Sequence, residues 1–232
     1  MAKGTIIWDF DGTLADRPYT WSGSILAAFD SVLPGHAVKL DDIRTHTAKN
    51  FPWHTPDNDY QHRRDPEVWW TAMELMLANL AVSLGASSDV APDIARLSRQ
   101  GIVDPSKYRT FSDFEPTLSL LSDQGWSHVI LSNNYPDLEA VVHGMGIGLY
   151  FTGVFTSALI GYEKPRKEIY HFVLDNISDR SNVWMVGDNE IADAFGAENA
   201  GIKAVLVRKK PKTFHRYIHD LIPLPTLLEE RS

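Results

Sequence analysis

Five short apolar runs punctuate the chain: Thr5 to Asp9, Val129 to Leu131, Val154 to Thr156, Val183 to Val186 and Lys203 to Val207. Most are rich in β-branched or aromatic residues. All are too short for a helix and bounded by polar residues or glycine, so they read as buried strands. From Phe114 onward, stretches with helical spacing lie between them: Phe114 to Ser122, Asp137 to His143, Lys167 to Asn176 and Ala192 to Ala200. Gly125, Gly144 and Gly201 stand where three of these should stop. Strands alternating with helices predict an α/β fold, a Rossmann-like parallel sheet with helices on both faces. The tail from Lys209 starts basic and turns apolar with prolines. It predicts a last helix around His215 to Leu221.

The region from Asp16 to Lys107 follows another pattern, with no clear strand. It predicts helices over Trp21 to Val32, from near Asp41, over Pro66 to Leu84, and over Ala91 to Gln100 with Gly101 as the stop. Trp69, Met73, Met76 and Leu80 share one face of the third helix and form a core stripe. Asn50 to Asp57 carries two prolines and reads as a loop. The chain thus divides into an α/β core, residues 1–15 and 108–232, and a helical insert, residues 16–107.

Composition narrows the function classes. At 232 residues and a net charge of -8, the chain offers no electrostatic case for nucleic acid or an anionic membrane. It has no cysteine, which excludes disulfides, thiolate zinc sites and a cysteine nucleophile. No apolar run reaches membrane-spanning length. Met1 to Gly4 lead straight into the first strand, which predicts no signal peptide and a cytoplasmic location.

The chemistry gathers at strand ends. Asp9 and Asp11 close the first strand, Ser132 and Asn133 the second. Lys164 follows the third, and Asp188 closes the fourth with Asp193 beyond it. In a parallel sheet these ends share one edge, where ligands bind. By itself Asp9-Phe10-Asp11-Gly12 is also an ordinary turn. Converging carboxylates without an arginine between them call for a cation, and an oxygen-only set suits Mg²⁺. A lysine and a hydroxyl beside it suit a phosphoryl group, and a carboxylate can serve as nucleophile.

These residues resemble the four motifs of the haloacid dehalogenase-like (HAD) hydrolase superfamily, in order. They are Asp9-Phe10-Asp11-Gly12-Thr13, Val129-Ile130-Leu131-Ser132 followed by Asn133, Lys164-Pro165, and Gly187-Asp188 through Asp193. The insert sits where that family places a helical cap. The resemblance implies Asp9 as nucleophile and Asp11 as general acid and base. It implies Mg²⁺ held by Asp9, Asp188 and the backbone carbonyl of Asp11, with Asp193 a ligand through water or a support. Ser132 and Lys164, with Asn133, Gly12 and Thr13, would bind the phosphoryl oxygens. The implied function is a Mg-dependent phosphatase acting on a small phosphomonoester through an aspartyl-phosphate.

Asp11 separates this chain from the family's dehalogenases, which lack an aspartate there because a halide needs no proton. A phosphomutase would share every motif, although Asp11-Gly12-Thr13-Leu14 is the phosphatase form. From another class, a non-catalytic HAD-like binding or regulatory module remains. The expected partner is a phosphorylated small molecule. His36, His46, His54, His62 and His143 lack ligand spacing and read as surface residues. Arg63-Arg64 reads as a solvated turn or an anion-facing pair, and Trp53-His54 as packing or a lid over the leaving group. The insert's aromatic content points to a flat or apolar leaving group. Hinges are expected near Ala15 to Pro18 and Ser106 to Arg109. Lys209, Lys210 and Lys212 form a basic cluster too small for nucleic acid.

Overall fold

The computed structural model describes residues 3–229. Its chain order begins β1 (Gly4–Trp8), β2 (Ala15–Asp16), α1 (Thr20–Val32), α2 (Leu40–Thr47), α3 (Pro66–Ser83), α4 (Ala91–Ile102) and β3 (Arg109–Thr110). Then come α5 (Phe114–Asp123), β4 (Trp126–Ser132), α6 (Leu138–Gly144), β5 (Gly153–Thr156), α7 (Ser157–Ile160), α8 (Lys167–Asn176) and β6 (Val183–Gly187). The chain continues through α9 (Gly196–Asn199), β7 (Lys203–Val207), β8 (Tyr217–Ile218) and α10 (Leu224–Glu229).

Six strands form one parallel sheet in the order β5-β4-β1-β6-β7-β8. The chain builds outward from β1 to one edge, then returns to lay β6 on its other side. That reversal opens a crevice at the carboxyl ends of β1 and β6. Strand residues alternate between two cores, as a strand's twofold period demands. Ile6, Trp8, Ile130, Trp184 and Val186 face α5, α6 and α10. Ile7, Val129, Leu131 and Met185 face α8 and α9. Burial of both faces explains why the runs read as continuously apolar.

Between β2 and β3 the chain is helical, α1 packing on α4 and α2, and α3 on α4. Of the stripe on α3, Trp69, Met73 and Leu80 are buried and Met76 is half-buried, with Trp70 and Leu77 buried beside them. The predicted helices appear, but the region is also closed by strands that the pattern did not show. Ala15 pairs with Thr110 and Asp16 with Arg109, an antiparallel clasp where the hinges were expected. Two-residue strands are too short to carry a period.

Two expectations are corrected. The tail forms no helix around His215 to Leu221. Tyr217–Ile218 joins the sheet edge as β8, and the helix comes later, at Leu224–Glu229. Leu221, Leu224 and Leu228 carry the burial, and Pro225 sits in the first helical turn, where its missing N–H costs nothing. Residues 230–232 lie outside the described residues. The helix expected over Ala192 to Ala200 begins instead as a π-helical turn, Glu190–Phe195, before α9. The Asn189 side chain starts it early by accepting from the N–H groups of Ile191 and Ala192, both at 3.0 Å.

Candidate active site

The strand ends meet as their registers require. Asp9 follows β1, and its N–H donates to the Val186 carbonyl of β6 at 2.9 Å. Its carboxylate is held on both oxygens. Oδ1 accepts from Lys164 Nζ at 2.9 Å and Ser132 Oγ at 3.2 Å, and Oδ2 from Thr13 Oγ1 at 3.2 Å. Lys164 spends its other two protons on the Leu131 carbonyl at 3.0 Å and Asp193 Oδ1 at 2.5 Å. All three donors of the ammonium are therefore used. Burial works against its charge, but Asp193 and Asp9 outweigh burial and hold Lys164 well above the ordinary lysine range.

The loop after β1 is pressed against β6. Gly12 has φ +81°, and a Cβ there would stand 2.2 Å from Asp188 Oδ2. Gly187 is required by the same crowding, since its Cβ would lie 2.2 Å from the Asp193 carboxyl carbon. Asp193 sits in the π-helical turn, 1% exposed, and accepts from the Asn189 N–H at 2.9 Å.

Asp9, Asp188 and Asp193 each offer a carboxylate oxygen, all within 4.8 Å of one another. Three hard anionic donors fit a small divalent cation such as Mg²⁺. The Asp11 carboxylate stands apart from this group and accepts from Asn134 Nδ2 at 2.7 Å. Burial, reinforced by the charge of Asp9, pushes the Asp11 carboxyl up to about 7. A carboxyl in that range can both give and take a proton near neutrality.

The remaining predicted residues divide by what they touch. Asn133 spends both ends of its amide on the Lys164 backbone, accepting at 2.7 Å and donating at 3.0 Å. It fixes the lysine. Thr13 is fully buried and steadies Asp9. Arg63 and Arg64 lie outside the cavity: Arg64 donates to the Leu159 carbonyl, and Arg63 lies over the Tyr60 ring. The five histidines are exposed or half-exposed, and none enters a metal-ligand group among the described residues.

Four participants escaped the sequence. Asn134 follows Asn133, but nothing marked which of the two would meet Asp11. Lys209 places Nζ 2.6 Å from Asp188 Oδ2. Its signal was present, because β7 also ends on the same sheet edge. Arg208 donates to the Thr13 carbonyl at 2.9 Å and pairs with Asp113 at 2.8 Å, bracing the loop from behind. Arg17, beside the clasp, lines the cavity, and no pattern singled it out.

That cavity measures about 900 Å³. The strand ends form its floor, and the helical region forms its roof through Arg17, Tyr19, Trp21, Arg44, Phe51, Trp53 and His54. The aromatic content is mostly spent on packing. Trp69 meets Trp70 edge-on at 4.9 Å, and Trp21 stacks on Trp70 at 6.2 Å. Trp53 is half-buried in the wall, stacked on Phe51 at 4.6 Å.

Comparison with known proteins converges on one family. The model of haloacid dehalogenase-like hydrolases matches residues 3–201. Haloacid dehalogenase-like hydrolase domain-containing protein 3 of Danio rerio is 26% identical over 148 residues, 63% of this chain and 60% of that protein. Its Homo sapiens namesake is 27% identical over 174 residues, 75% of this chain and 68% of that protein. The matches thus span about three-fifths to two-thirds of these relatives. Phosphoserine phosphatase of Thermus thermophilus is 30% identical over 120 residues, 50% of this chain and 48% of that protein. In fold, the chain is similar to the HAD-hydrolase YfnB of Bacillus subtilis, solved bound to magnesium. That likeness has TM-score 0.75 and 19% identity, over 99% of this chain and 100% of the other. No helix among the described residues is long and apolar enough to cross a membrane. With the four motifs assembled on one sheet edge and the family model spanning most of its length, the chain belongs to the haloacid dehalogenase-like hydrolases.

Proposed function

We infer that the chain is a Mg²⁺-dependent phosphatase acting on a small phosphomonoester. The observation that carries this reading is the Asp9 carboxylate. Ser132, Lys164 and Thr13 hold it at the cavity floor, with a second carboxyl, Asp11, pushed toward neutrality two residues on. Asp9 forms a bond from a carboxylate oxygen to phosphorus as the bond from phosphorus to the leaving oxygen breaks. Asp11 gives that oxygen its proton. Water then attacks the aspartyl-phosphate, Asp11 takes the water's proton, and phosphate leaves with Asp9 restored.

Asp9, Asp188 and Asp193 would hold the metal, with the Asp11 carbonyl as a further donor. A bound cation there supplies charge for the phosphoryl oxygens. Ser132 and Lys164 orient those oxygens, and positioning with charge stabilisation is most of phosphoryl-transfer catalysis. Residues 16–107 act as a cap that excludes water and selects the leaving group.

Turnover of p-nitrophenyl phosphate tests the reading. Phosphate release should require Mg²⁺, stop on chelation and fall by about 10⁴-fold or more in Asp9→Asn. A binding module would turn nothing over. A mutase would isomerise a sugar phosphate with little phosphate release.

A further inference from the structure

The roof holds a buried cation that phosphoryl transfer does not use. Arg17 is 2% exposed. Its Nη1 donates to the Ile102 carbonyl at 2.6 Å and the Gly101 carbonyl at 3.4 Å, at the end of α4. Its guanidinium carbon lies 4.9 Å from the centre of the Tyr108 ring. These contacts fix the group from one side. Nε and Nη2 have no hydrogen-bond partner among the described residues.

Those two nitrogens are the same edge of the guanidinium. Their N–H bonds run side by side and match the two oxygens of a carboxylate. A buried donor pair left empty is costly, so its retention needs an acceptor. None of the described residues supplies one. Asp11 lies near enough to feel the charge of Arg17 but gives its oxygen to Asn134. Arg17 lines the cavity that holds Asp9 and Asp11. Arg44 lines it too, but its side chain is 61% exposed and already faces Asp41 at 3.6 Å.

The geometry points to Arg17 as the anchor for a carboxylate on the leaving group, which makes the substrate class the phosphate esters of hydroxy acids. This rests on the phosphatase reading. Ser132 and Lys164 take the phosphoryl end at the floor. The acid end reaches the roof, where the guanidinium edge fixes the ester's orientation.

The test is a matched pair, 3-phosphoglycerate and glycerol 3-phosphate, which differ by a carboxylate in place of a hydroxymethyl group. Wild type should favour the acid in kcat/KM by at least about tenfold, the scale of one charged hydrogen-bonded contact. In Arg17→Gln that preference should collapse, mainly through the KM of the acid. Arg17→Lys keeps the charge without the fork and should retain only part of it. It also provides a folded variant if Arg17→Gln unfolds. Equal losses for both esters, leaving their ratio unchanged, would make Arg17 a brace for α4 or Asp11 and overturn the assignment. So would no preference in wild type. Affinity is measured separately, by tryptophan fluorescence of the Asp9→Asn protein titrated with each ester. Absence of turnover then counts against phosphoryl transfer, whereas equal affinity for the two esters counts against Arg17.

Discussion

The floor and the roof of the cavity are built on opposite terms. On the floor, short side chains leave rigid strand ends, and their polar atoms are engaged. Asp9 has three donors, Lys164 three acceptors, and Asp193 both Lys164 and the Asn189 N–H. The roof comes from helices and loops. Its rings pack against one another, and one edge of its buried arginine has no partner among the described residues. A filled network fixes a geometry that every substrate of one reaction can share. An unfilled one is free to meet what differs between substrates. Under the proposed function, the reaction belongs to the floor and the choice of molecule to the roof.

The largest effect that would sharpen this contrast is expected at Lys164. Lys164→Met leaves Asp9 and Asp193 buried without their cation, which should cost about 3–5 kcal/mol of stability along with activity. Urea unfolding measures it. A floor that tolerated the change within about 0.5 kcal/mol would not be the over-determined network described here.

A smaller effect lies beneath the floor, in β4. His128 accepts from the Trp8 indole N–H at 3.1 Å on Nδ1 and meets Ser122 at 3.1 Å on Nε2. Burial lowers its pKa from 6.5 to about 4. The folded state thus favours the neutral ring, while the unfolded chain takes a proton below about pH 6.5. Its contribution is complete above that pH and drains as pH falls toward 4, by about 3 kcal/mol in all. The urea midpoint should fall further between pH 7 and pH 4.5 in wild type than in His128→Gln; an equal fall in both would remove His128 from the account.

The smallest effect belongs to the roof. Trp53→Ala removes a half-buried ring from its stack on Phe51 and should cost about 1 kcal/mol. It should raise KM for aromatic phosphates more than for 3-phosphoglycerate. A loss of kcat as deep as that from a floor substitution would erase the distinction between the two regions.

The same division governs what could be read from the sequence. The sheet was legible because buried strands leave compact apolar runs, Asp9, Ser132 and Asp188 because each sits where a strand stops, and Lys164 through the Lys164-Pro165 motif in the connection after β5. The exceptions follow from length and distance. Ala15–Asp16 and Arg109–Thr110 are too short to show a period. Arg208 acts on Thr13 across 195 positions of sequence. Tyr217–Ile218 is a strand only because β7 offers it an edge. The aromatic residues of the insert were visible, but nothing in their spacing told Trp70, fully buried, from Trp53, which lines the cavity. Arg17 was one arginine among many until α4 and Tyr108 fixed one side of it.

The central claim, that Asp9 carries the phosphoryl group, is tested most directly by trapping it. p-Nitrophenolate leaves without needing a proton, so Asp11→Asn should still be phosphorylated by p-nitrophenyl phosphate but lose its base for hydrolysis. With Mg²⁺ it should release one equivalent of p-nitrophenolate in a burst. After acid quench, the peptide spanning Asp9 should carry one phosphoryl group by mass spectrometry, absent when Asp9 is also changed to Asn. Turnover in Asp11→Asn with no burst and an unmodified Asp9 peptide would contradict the account.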